Sequence, residues 1–183
     1  MSEELKYDLT LFPAPVLRKV ADPVAAFDDN LAGVVDGMYE RMRASNGVGL
    51  AAPQVGLKLR ILVLNEDGEP GNDLTLINPT VVPDRKGPKS KFEEGCLSFP
   101  GIYTEVERPE RCTVEAFDVH GKPIQATYEG FVSRIIQHEY DHLEGILLVD
   151  RMTPADKLRH KAALEDLIED YRASKPATPT PRR

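Results

Sequence analysis

The chain has 183 residues, a length that one hydrophobic core can stabilise without staples, so a single domain is expected. Its 30 acidic residues outnumber 23 basic ones, and the net charge of −7 argues against a general polyanion-binding surface and against specific DNA binding. Two cysteines, Cys96 and Cys112, are too few for a secreted disulfide framework and fit a reducing compartment, a single bridge between them being the plain alternative.

The first residues, "MSEELKYDLTLF", are acidic and carry neither a signal-peptide nor a transit pattern, and no apolar run is long enough to span a bilayer. A cytoplasmic protein without membrane contact is the expectation. In "LAGVVDGMYERMRAS", Leu31, Val34, Val35, Met38, Tyr39 and Met42 recur at helical spacing, which predicts a first helix stopped by the glycines of "NGVG". From Leu57 to Gln125, short β-rich runs such as "RILVLN", "LTLINPTVV" and "CTVEAFDV" alternate with Gly, Pro, Asn and Asp, as in a mostly antiparallel sheet.

A second helix is expected from near Thr127, and a third over "TPADKLRHKAALEDLIEDY", with Thr153 as N-cap and Pro154 at its first position. Helix, strands, helix, helix is an α+β order, with the domain placed over residues 1–172. The Pro-rich tail over 173–183, containing "KPATPTPRR", is expected to be disordered.

The second helix carries "QHEYDHLEG", Gln137–Gly145. At about 100° per residue, Phe131, Val132, Ile135, Ile136, Tyr140 and Leu143 share one half of it, with Glu139 in their midst and His138 and His142 at the edge. A carboxylate among apolar side chains is costly unless a nearby group needs it or its pKa rises. Two imidazoles one turn apart with a Glu between them fit a metal site in which the histidines are ligands and Glu139 a general base. The bland alternative has both histidines as satisfied core-edge groups and Glu139 bent out to solvent. His120 and His160 read as exposed and structural.

The third ligand separates the chemistries. A metzincin pattern needs a histidine where Leu148 stands, and fails. A thermolysin-like site would draw on Glu165 or Glu169, both on a charged helix better read as solvated. Cys96 in "EGCLSFPG" is the stronger candidate, a thiolate in a Gly/Pro-punctuated stretch, and a Cys-His-His set leaves one position open for chemistry. Cys112 reads as a small buried apolar residue.

Three separated motifs, "GVGLAAPQ" at Gly47–Gln54, "EGCLS" at Glu94–Ser98 and "QHEYDHLEG", together with flanking "LINP" and "RPERCTVEAFDVHG", make the chain resemble the peptide deformylase family along nearly all of its ordered length. Departures are small: Ala14 stands where that family often has Asp or Asn, and Ser133 where a small apolar residue is usual. The resemblance implies antiparallel strands surrounding the His-Glu-x-x-His helix, and removal of the formyl group from the N-terminal methionine of nascent polypeptides. It implies Cys96, His138 and His142 as ligands of one divalent metal, Fe(II), with zinc, nickel or cobalt as substitutes. Glu139 is then the general acid/base, and Gln54 with the backbone N–H of Leu97 holds the formyl oxygen.

The glycines of "GVGLAAPQ" match neither a P-loop nor a dinucleotide fingerprint, so they serve close approach, letting a peptide pair with Val48 and Gly49 as an added strand. Val48, Phe131 and Ile135 are the candidates for the methionine side-chain slot, ordinary core packing being the alternative for the last two. The basic run Lys157, Arg159, His160 and Lys161 implies, by the same resemblance, a contact with the ribosome near the exit tunnel, while from the sequence alone a solvated helix start is the favoured reading. Two further readings stand: a zinc endopeptidase using Glu165 or Glu169, and a non-enzymatic member that binds formylated peptides.

Overall fold

The computed structural model describes residues 5–174. Helix α1 spans Asp29–Ala44, and the Asp28 carboxylate caps it by accepting the Leu31 N–H at 3.0 Å. The six apolar positions picked out by spacing are its buried stripe. Asn46, at φ 53°, turns the chain away, and the Gly47 N–H reaches back to the Met42 carbonyl at 2.9 Å.

Strands β1 (Gly49–Ala51), β2 (Ile61–Leu64), β3 (Leu74–Pro83), β6 (Arg111–Phe117) and β7 (Pro123–Glu129) form one antiparallel sheet in the order β1-β2-β3-β6-β7. Strands β4 (Lys89–Cys96) and β5 (Phe99–Pro109) form a separate two-stranded ribbon. The α+β reading and the antiparallel texture therefore hold.

Helix α2 spans Gly130–Leu143, three residues later than expected, because "PIQATYE" alternates exposed and half-buried residues as the sheet's edge strand. The expected apolar half also understates its burial. Arg134, Gln137, Glu139, Asp141 and His142 are buried with Ile135, Ile136 and Leu143, so α2 is a central helix enclosed on several sides. Apolar residues of the sheet, including Leu62, Leu76 and Val114, pack with Ile135, Ile136 and Leu143, while a second cluster joins α1 to Leu50, Ile61 and Val63. Both departures from the family pattern fit locally. Ser133 is fully buried and its hydroxyl accepts the Gln137 amide at 3.0 Å, and Ala14 precedes a 3-10 turn, Pro15–Arg18, that has no side-chain cap.

The third helix is interrupted. After a short α3 (Leu148–Arg151), Thr153 and Pro154 open a helix as expected, but α4 ends at Arg159 and α5 runs over Lys161–Ala173 with His160 at the junction. Ala163, Leu164 and Leu167 of α5 rest on a third cluster of Leu17, Phe99, Ile102, Val106, Leu147, Leu148 and Met152. From residue 175 onward, the Pro-rich tail lies outside the described residues.

Gly145 ends the α2 turn at φ +71°, and a Cβ there would sit 2.6 Å from the Arg18 carbonyl oxygen. Gly145→Ala is expected to destabilise the fold by about 1–3 kcal/mol from the left-handed backbone, with the backbone clash adding to it. A urea titration checks this, and an unchanged midpoint would contradict it.

Candidate active site

Cys96 closes β4 just after the ribbon's register shifts between Gly95 and Cys96, so its side chain leaves the regular ladder and turns toward α2. There its Sγ lies 3.3 Å from His142 Nε2. One turn earlier on α2, His138 stands edge-on to His142 with ring centroids 5.3 Å apart. The three donor atoms of Cys96, His138 and His142 lie within 4.8 Å of one another, the one group of this kind among the described residues. Glu165 and Glu169 lie exposed on α5 outside that group, and Glu165 pairs with Lys161 at 3.7 Å. Both thiols are free, and Cys112 is fully buried in β6.

The donor chemistry fits a divalent ion. Glu94 accepts the His138 Nδ1–H at 2.9 Å, leaving Nε2 of that ring as the available donor. Burial holds His142 well below the usual imidazole pKa, in the neutral form that ligates. Burial of His138 is outweighed by hydrogen bonds with Cys96 and Glu94 that raise its pKa, so a bound cation would replace its Nε2 proton. A thiol with two imidazoles suits iron, zinc, nickel or cobalt alike.

Glu139 is 5 % exposed and its Oε2 has no hydrogen-bond partner among the described residues. Burial pushes its pKa up to about 7, with His138 and Arg108 pulling against that shift and Glu94 and Asp141 adding to it. The expectation from helical phase, a carboxyl on the core face rather than bent out to solvent, is what the geometry shows. Gly49 lies so close that a Cβ there would come within 2.7 Å of Glu139 Oε1 and 2.6 Å of Ile135 Cγ2. That approach explains the glycine.

Gln54 sits in a 3-10 turn, Ala52–Val55, directly after β1 rather than at a strand entry. Its Oε1 accepts the Ala51 N–H at 2.8 Å, which fixes the amide so that Nε2 faces Cys96 Sγ at 3.5 Å and Ser98 Oγ at 3.4 Å. A cleft of about 780 Å³ opens on these groups, lined by Val48, Gly49, Gln54, Cys96, Leu97, Phe131, Ile135, His138 and Glu139. Phe131 is 44 % exposed and faces Phe92 across 5.9 Å, so it walls the cleft, whereas Ile135 both lines the cleft and packs in the core. His142 lies behind, outside the lining.

A buried ionic network escaped the sequence reading. Glu94 accepts Arg108 Nε at 2.7 Å, Arg108 Nη2 at 2.9 Å and Arg134 Nη1 at 2.7 Å; Arg108 continues to Asp141 at 2.9 Å, and Asp141 accepts Arg151 as well. Burial opposes the Glu94 charge, but hydrogen bonds from His138 and Arg108 outweigh it and hold the carboxyl well below the usual range. One signal was available: Arg134 lies four residues before His138, on the same helix face.

A His-Glu-x-x-His helix that meets a strand-borne third donor at the floor of a cleft is the architecture of a mononuclear metal hydrolase. The profile described as polypeptide deformylase matches residues 6–158. Peptide deformylase 1B, chloroplastic/mitochondrial, of Arabidopsis thaliana is 43 % identical over 178 residues, covering 94 % of this chain and 63 % of its own length. Peptide deformylase of Thermotoga maritima is 41 % identical over 162 residues, covering 88 % of this chain and 96 % of its own. The crystal structure of peptide deformylase from Plasmodium falciparum superposes with a TM-score of 0.88 at 42 % identity, covering 92 % of this chain and 99 % of that one. The chain belongs to the polypeptide deformylase family, metal-dependent hydrolases that remove the N-terminal formyl group of newly made polypeptides.

Glu94→Gln leaves Arg108 and Arg134 short of a charge partner in a buried site. It is expected to cost about 3–5 kcal/mol of stability and to weaken metal binding about tenfold or more. Denaturant unfolding and competition with a chelator measure the two effects, and wild-type values in both would refute the role given to Glu94.

Proposed function

We propose that this chain deformylates formyl-methionyl nascent polypeptides through Cys96, His138 and His142 as ligands of one divalent metal, Fe(II) in the native protein, with zinc, nickel or cobalt able to replace it. The observation that carries the reading is a buried carboxyl, Glu139, beside a thiol and two imidazoles at the floor of an open cleft. When bound, the metal supplies Lewis acidity that makes water nucleophilic at neutral pH and polarises a carbonyl.

The chain's own groups do the rest. Strand β1 is the sheet's edge, so Val48 and Gly49 offer backbone groups to an incoming peptide as an added strand. Val48, Phe131 and Ile135 line the space beside Glu139 and His138, where a thioether side chain meets apolar and aromatic walls. Gln54 Nε2 and the Leu97 N–H donate to the formyl oxygen as charge gathers on it, a role worth about 3 kcal/mol per donor.

Glu139 takes a proton from the attacking water as its oxygen bonds to the formyl carbon. It returns that proton to the nitrogen as the C–N bond breaks, so formate and a free amine leave. A carboxyl poised near pH 7 suits both halves of that task.

The domain over residues 1–172 acts in the cytoplasm, where its substrate emerges from the ribosome. No helix among the described residues is long and apolar enough to cross a membrane. The basic run offered for ribosomal contact is partly neutralised, since Arg159 pairs with Asp156 and Lys161 with Glu165.

Cys96→Ala is expected to abolish metal binding, read as metal content after anaerobic loading; an endopeptidase reading through Glu165 or Glu169 requires binding to survive. Glu139→Gln keeps the metal and lowers kcat for formate release from formyl-Met-Ala-Ser by about 10²–10⁴-fold. Iron-loaded wild-type protein that binds the peptide yet releases no formate would replace catalysis with a binding role.

A further inference from the structure

His160 read as an exposed structural residue, but its Nε2–H donates to the Tyr103 carbonyl across 57 positions of sequence, at 2.8 Å. The ring sits where α4 passes into α5, so the bond ties the C-terminal helices to β5 at one point. The chosen point matters. Tyr103 pairs in register with Gly95, the residue immediately before Cys96, and the register shifts between those two. Cys96 itself pairs with Phe99 across that shift, so the ladder holds it through this one pair and the Gly95–Tyr103 pair before it.

The contact between that pair is close: a Cβ on Gly95 would lie 2.6 Å from Tyr103 Cε1, so the tyrosine ring covers the glycine directly. Strand β5 has β4 as its one strand partner among the described residues, and His160 supplies a contact that a further strand would otherwise give. Beneath, Cys96 packs against the same cluster of Leu17, Phe99 and Ile102 on which Ala163, Leu164 and Leu167 of α5 rest.

We propose that His160 is a positioning residue for the site: by fastening the Tyr103 carbonyl to the α4–α5 junction, it braces the Gly95–Tyr103 pair and so fixes where the Cys96 thiol stands. This rests on the reading of Cys96 as a metal ligand. Supporting groups behind metal ligands commonly set affinity and exchange, and this one acts through backbone rather than through a ligand ring. Tyr103 and Gly95 also line the cleft, so the same brace holds one wall of the substrate groove.

The test compares wild type, His160→Ala and His160→Gln as full-length, metal-loaded proteins. Three quantities are read: metal release to excess chelator, amide hydrogen exchange over residues 93–105, and the thermal midpoint. His160→Ala is expected to speed metal release by about threefold or more, to raise exchange over 93–105, and to lower the midpoint by about 2–4 °C. His160→Gln, whose amide can donate to the same carbonyl, restores release and exchange toward wild type. The proposal is overturned if His160→Ala lowers the midpoint while release and exchange stay at wild-type values, or if His160→Gln behaves as His160→Ala does. Wild-type protein that retains no stoichiometric metal would defeat the ligand reading instead, and exchange over 93–105 would still decide whether the brace exists.

Discussion

The Glu94 carboxylate sits where the β4–β5 ribbon crosses α2 and accepts hydrogen bonds from His138, Arg108 and Arg134. These donors come from β5 and from two turns of α2, and Arg134 also reaches the Val106 and Ser90 carbonyls. One buried anion thus joins the ribbon to the helix and orients a histidine of the site. A central helix can bury Arg134 and Asp141 because each charge has a partner, whereas Glu139 is accommodated by a raised pKa; an unpaired charge would be expensive in that environment. The network is a condition for bringing a polar helix face inside the molecule and, with it, the groups that do chemistry.

Much of this was legible in the sequence, for identifiable reasons. Helix α1 announces itself by apolar spacing, and "QHEYDHLEG" announces its histidine pair by spacing on one helix face. Glu139 could be placed because helical phase depends only on counting residues. The start of α2 was misread because Thr127 and Tyr128 belong to both a strand's alternation and a helix's approach, and pairing with β6 settled it for the strand. Glu94, Arg108, Asp141 and Arg151 were missed because a charged residue in sequence looks solvated by default, and only tertiary contact shows that its counterion is 14 or 33 positions away. The role of His160 was invisible for the same reason, since its partner is a carbonyl on β5.

Gly49 and Glu139 illustrate how backbone and side chain share a small volume. The edge strand β1 and the Glu139 carboxyl are separated by less than a side chain, so strand backbone and buried carboxyl are brought together by one contact. Ile135 occupies the neighbouring space and belongs to both the core and the cleft. Packing on the sheet side of α2 therefore fixes the geometry on its catalytic side.

His142 is 1 % exposed and lies behind the cleft, whereas Cys96 and His138 line it. Of the three grouped donors, two face the cleft and the third stands behind them, so the set has a depth order. The site is built less like a cup than like a berth, with its deepest mooring set in the protein interior.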